Sequence, residues 1–165
     1  MNAARAFGWA VVAIAGLVAS GPAGAGPADG RLPGEHLSVT VSGLHSARGQ
    51  VLACIASAPA HFPECGKDPG ARRLAIPVGP GGTVSFDFGP LAPGRYAVSL
   101  FHDENANGKL DTMLMIPREG FGFSRDARVH FGPPRFDAAA FAMSAAPLHL
   151  AIRMRYLMGS PARQR

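Results

Sequence analysis

Outside its N-terminus, this 165-residue chain has no stretch of ten residues whose apolar side chains recur at helical spacing. That excludes a helical bundle. No hydrophobic run follows residues 10–19, so the rest of the chain lacks the roughly 20 apolar residues a membrane-spanning helix needs. Cysteine is scarce, with Cys54 and Cys65 alone. Two thiols without a nearby histidine pair do not make a zinc site. The six histidines are dispersed, which leaves no transition-metal cluster. Neither the Gly-x-Ser-x-Gly elbow nor the His-Glu-x-x-His motif occurs, so the common hydrolase signatures are absent. Charged residues make up 16% of the chain, with a net charge of +5. The arginines are scattered, and no basic run alternates with exposed aromatics as a nucleic-acid surface requires.

The N-terminus has the three parts of a secretory signal peptide. Arg5 supplies the charged start, residues 10–19 the short apolar core, and Ala23-x-Ala25 the cleavage pattern. The expectation is a signal peptide at 1–25, a flexible Gly/Pro-rich lead-in at 26–35, one domain at 36–157 and a basic tail at 158–165. The mature form is then periplasmic or secreted and does not span the membrane. Export favours a disulfide between Cys54 and Cys65. A loop of that size stabilises the fold by about 3 kcal/mol in the chain-entropy model.

Strand signals fill the domain. Leu37, Val39 and Val41 alternate with Ser38, Thr40 and Ser42. Residues 49–56 are apolar on both faces, as in a covered central strand. Val84, Phe86 and Phe88 share one side; so do Tyr96, Val98 and Leu100, and again Leu148, Leu150, Ile152, Met154 and Tyr156. The expected core includes Val39, Val41, Phe86, Val98, Leu100, Leu150 and Ile152. Pro93-Gly94 makes a tight turn, and Tyr96 occupies the place of a corner tyrosine. Asp137 is the expected N-cap of a single helical turn at 137–141. Short strands between Gly/Pro turns indicate an all-β protein. The expected architecture is a single immunoglobulin-like or prealbumin-like β-sandwich of about seven strands, with one long Gly/Pro/Phe-rich loop at 112–146.

The most specific pattern lies at 103–111. Asp103, Asn105, Asn107 and Asp111 carry side-chain oxygens, Gly108 stands at the sharpest bend, and the Lys109 carbonyl occupies position 7. This spacing is the first three-quarters of a calcium loop, but Leu114 stands where an EF-hand has its bidentate Glu. Two readings follow. Glu119 or backbone carbonyls complete a weak calcium site, or the Asx side chains cap a metal-free turn. Around this loop, His102, Glu119, Phe121, Phe123 and Ser124 form the candidate functional face. No catalytic residue is assigned.

The run Phe101-His102-Asp103, with Asn105, Asn107-Gly108-Lys109-Leu110-Asp111-Thr112, resembles an uncharacterised bacterial family catalogued as domain of unknown function 2141. So do Ile116-Pro117, the segment 119–124, Phe131-Gly132-Pro133-Pro134 and the segment 136–141. Gly49-Gln50, Phe62-Pro63 and Pro93-Gly94-Arg95-Tyr96 fit as well. The resemblance covers about 37–156 and implies an exported β-sandwich with no accepted activity. Where relatives often carry Asn, this chain has Arg125.

Three functions compete. The first is a binding or interaction module of the cell envelope, whose partner is a peptide, a glycan or an envelope protein. The second is a calcium-stabilised structural domain, calcium being the one cofactor the spacing offers. The third is a hydrolase using His102, Asp103 or Glu119. The balance of the residues is against an enzyme.

Overall fold

The computed structural model describes residues 35–130 and 132–158. The expected signal peptide, almost all of the lead-in and of the tail, and Phe131 lie outside the described residues. Ten strands are present among the described residues: β1 Glu35–Ser42, β2 Gln50–Ala56, β3 Arg72–Pro77, β4 Thr83–Leu91, β5 Gly94–Asp103, β6 Thr112–Met113, β7 Ile116–Pro117, β8 Gly120–Phe123, β9 Phe141–Met143 and β10 Leu148–Arg153. Seven of them are four or more residues long.

One sheet has the order β10-β1-β4 and the other β3-β2-β5-β8, with β9 pairing the start of β5. β1 runs parallel to β10 in the register Leu37↔Leu148 to Ser42↔Arg153. The remaining pairs are antiparallel. The fold is an all-β sandwich. Period-two alternation turns Leu37, Val39 and Val41 of β1 toward Val51, Ala53 and Ile55 of β2 and Val98 and Leu100 of β5, all in one buried cluster. Of the expected core, Phe86 and Leu150 are half-buried at its margin, while Val39, Val41, Val98, Leu100 and Ile152 are buried.

Three local features follow from side-chain chemistry. The Tyr96 hydroxyl donates to the Ala92 carbonyl at 3.0 Å, which fixes the corner between β4 and β5. The helical turn α1 spans Phe136–Ala139, one residue earlier than expected. Its N-cap is Arg135, without a side-chain cap, and Asp137 stands inside the turn, where it pairs with Arg95 at 3.0 Å. Arg125 sits at φ 58°, ψ 19°, the left-handed region that Asn tolerates best among non-glycine residues. The Arg125 guanidinium donates to the Ala140 carbonyl at 3.1 Å and holds this bend.

A second apolar cluster lies on the outer face of the β3-β2-β5-β8 sheet. It gathers Ala97, Phe121, Phe123, Ala127, Phe136, Ala139 and Ala140, with Phe62 and Phe101 against it. Phe62 meets Phe123 and Phe136 edge-on at 5.9 and 5.8 Å. The long loop is thus held down by burial over one end of this face.

Candidate functional site

Asp103 ends β5, opposite Gln50 of β2. It is fully buried. Its Oδ2 accepts from Gln50 Nε2 at 2.8 Å and from the Gly108 N–H at 2.8 Å, and its Oδ1 accepts from the Asn107 N–H at 3.0 Å. Burial pushes the carboxyl pKa up. The bonds from Gln50, Gly108, Asn107 and Ala106 outweigh that and hold it below the usual carboxylate range.

The rest of the loop satisfies itself. Asn105 Oδ1 accepts from the Asn107 N–H at 3.1 Å, and Asn107 Oδ1 accepts from the Lys109 N–H at 2.8 Å. The two amide NH2 groups then donate to Asp111, from Asn105 at 2.8 Å and from Asn107 at 3.0 Å. A calcium ion needs oxygens converging on it. Here N–H donors fill the space beside the Asp111 carboxylate. No group of three or more His, Cys, Asp or Glu able to hold a metal occurs among the described residues. Glu119, considered above as a completing ligand, closes the loop instead. Its Oε1 accepts from the Glu104 N–H at 3.1 Å and its Oε2 from the Asp111 N–H at 2.9 Å, so one buried carboxylate ties both ends together. The arrangement is that of a self-capped turn.

His102 is fully buried. Its Nε2 lies 2.9 Å from the Arg48 carbonyl and its Nδ1 2.6 Å from the Tyr156 hydroxyl. A carbonyl only accepts, so Nε2 carries the proton and Nδ1 accepts from Tyr156. That hydroxyl also accepts from the His45 N–H at 3.0 Å, and the His45 ring stacks on the Tyr156 ring at 3.4 Å. Burial pushes the Tyr156 pKa up to about 12, against the His45 N–H and with the charges of Glu104 and Glu119. Gly120 lies against this ring so closely that any Cβ there would overlap it. His102 therefore joins β5 to Arg48, ahead of β2, through Nε2 and to Tyr156, after β10, through Nδ1.

Ser124 is also fully buried. Its Oγ accepts from the Val98 N–H at 2.9 Å and donates to the Ala139 carbonyl at 2.6 Å. His102 faces Gly120 across the strand pair. Ser124 lies four residues beyond Gly120, roughly 13 Å along a strand. His102, Glu119 and Ser124 are not assembled as nucleophile and base, and the hydrolase reading draws no support from their placement.

The open space is elsewhere. Between the two walls of the outer face lies a cleft of about 670 Å³. Cross-strand register builds its floor in two rows, Ala75–Leu52–Phe101–Phe121 and Arg73–Cys54–Ser99–Phe123. One wall is the segment 63–66. It is anchored by the Cys54–Cys65 disulfide and by the Ser99 hydroxyl, which donates to the Pro63 carbonyl at 3.2 Å. The other wall is Gly108, Lys109 and Leu110, the tip of the self-capped loop. Of the candidate face, Phe121 and Phe123 line this cleft, whereas His102, Glu119 and Ser124 do not. The reading of β2 as apolar on both faces was the available signal. It foretold a covered face without saying by what.

The family model described as an uncharacterized protein conserved in bacteria (DUF2141) matches residues 39–150. The chain belongs to this family. No curated protein and no solved structure matches the chain. The DUF2141 match includes the self-capped loop, both walls of the cleft and its floor.

Proposed function

We propose that this DUF2141 protein is an exported binding module of the cell envelope, and that the outer-face cleft takes a ligand with an apolar chain ending in a carboxylate. The observation that carries this reading is the apolar floor of Leu52, Ala75, Phe101 and Phe121 beneath two exposed rim cations, Arg73 and Lys109. Neither cation makes an ion pair among the described residues, while the rim's Glu64 is paired with Lys67 at 3.2 Å. The cleft falls within the size of small-ligand sites, about 300–1,000 Å³. Its scarcity of polar groups suits an acyl or apolar peptide end better than a glycan. The signal-like N-terminus and the disulfide support an oxidising, exported location.

Calorimetry with two probes tests it: sodium decanoate, and an acetylated leucine tripeptide with a free C-terminus. Binding of either, weakened by Leu52→Glu and by Arg73→Glu, is expected, and the preferred probe tells lipid from peptide. Failure of both probes, or binding that survives both substitutions, overturns the reading.

A further inference from the structure

Beside the cleft a hairpin projects. β6 and β7 pair through Met113↔Ile116, and the turn between them is Leu114 and Met115. Leu114 is 89% exposed and Met115 93%, with Met113 and Ile116 at 46% and 45%. Both turn residues have positive φ, 51° and 66°. Two-residue hairpin turns of that kind favour Asn-Gly, because an L side chain there is strained. Here strained positions carry two large apolar side chains that touch almost nothing of their own chain. An exposed apolar patch carried on a strained turn marks a contact site.

The charge around it has one sign. Lys109 and Arg118 are exposed on either side of the hairpin. The nearby acids face inward or are occupied. Asp111 is held by the Asn105 and Asn107 amides, Glu119 is buried on two backbone N–H groups, and Glu104 accepts from Ser46 at 3.0 Å beside Arg48 at 3.6 Å.

We propose that this hairpin docks the protein on an anionic lipid surface, its four apolar side chains entering the headgroup boundary while Lys109 and Arg118 meet the lipid phosphates. A tip exposed on every side needs an occupant that surrounds it, and a fluid bilayer does so. Interfacial binding grows with buried apolar area and with attraction to anionic lipid. A second copy is the weaker fit. Its apolar cleft is rimmed by Arg73 and Lys109, so docking the tip there sets Arg118 and Lys109 against like charges. This inference shares Lys109 with the rim of the cleft but does not depend on the ligand of the cleft.

Co-sedimentation with vesicles tests it, comparing pure phosphatidylcholine with a mixture containing phosphatidylglycerol. The protein should pellet with the anionic vesicles, and added salt should release it. Leu114→Asn combined with Met115→Gly gives the turn the residues its backbone prefers, so the fold is kept while binding falls about tenfold or more. Arg118→Glu should weaken the preference for anionic lipid. Absence of vesicle binding, or equal binding by the Asn-Gly variant, overturns the proposal. Self-association in light scattering that the Asn-Gly variant abolishes, without vesicle binding, overturns it in favour of a second copy.

Discussion

The loop at 103–111 and the hairpin at 112–117 follow one another in the chain and use their residues in opposite ways. The loop is made of Asx residues whose carboxylates and amides are almost wholly consumed by one another and by backbone N–H groups. The hairpin is made of Met113, Leu114, Met115 and Ile116, which its own fold leaves exposed. The loop looks like a ligand site in sequence, and in the structure its side-chain oxygens accept from one another's amides and from backbone N–H groups. The hairpin looks unremarkable in sequence and presents its side chains to whatever lies outside. A motif's spacing states which groups can meet. Whether they remain free for a ligand depends on what else reaches them.

The largest effect expected from breaking this contrast is Asp103→Ala. It leaves Gln50 Nε2 and the Gly108 N–H without their acceptor, and the Asn107 N–H with Asn105 Oδ1 alone. The cost should be about 4 kcal/mol, read as a lower denaturation midpoint at constant slope. Lys109 and Leu110 should lose their fixed position at the same time. A value under about 1 kcal/mol would mean that the loop is not architectural. The same carboxylate gives a pH signature. Its folded pKa lies below the unfolded value of about 3.9, so its contribution is complete above that value and is lost as pH falls through the folded pKa. Stability should drop below about pH 4 in the parent, and this part of the drop should vanish in Asp103→Ala.

Glu119→Ala comes next. It frees the Glu104 and Asp111 N–H groups and should cost about 2 kcal/mol in the same measurement. The hairpin should respond with the opposite sign. Leu114→Asn with Met115→Gly relieves two left-handed residues and should raise stability by about 1 kcal/mol. A loss there would show that Leu114 and Met115 serve the fold, and the contrast would fail.

How much of this was legible in the sequence follows the range of the contacts. Alternation along single strands placed Val39, Val41, Val98 and Ile152 in the core. The corner bond of Tyr96 spans four residues and was readable from a turn signal. The Cys54–Cys65 pairing followed from there being no third cysteine. The parallel pairing of β1 with β10 joins residues more than a hundred positions apart and left no local trace. Glu119 as the clamp of the loop, Ser124 as a buried bridge from Val98 to Ala139, and the floor of the cleft are likewise products of register between β2, β5 and β8. The Asx loop was legible as a turn. Its choice between metal and self-capping was not, because spacing fixes neither which way an amide points nor what else binds its oxygens.

The smallest expected effect is the most direct test of the self-capped loop. Thermal unfolding of the parent and of Asp103→Ala, each with and without millimolar calcium, separates the two readings of 103–111. The account predicts that calcium leaves the parent's Tm unchanged while Asp103→Ala lowers it in both conditions. A ligand at ten times its Kd stabilises the native state by about 1.4 kcal/mol. A calcium-dependent rise of several degrees in the parent, absent in Asp103→Ala, would contradict it and make the loop a metal site.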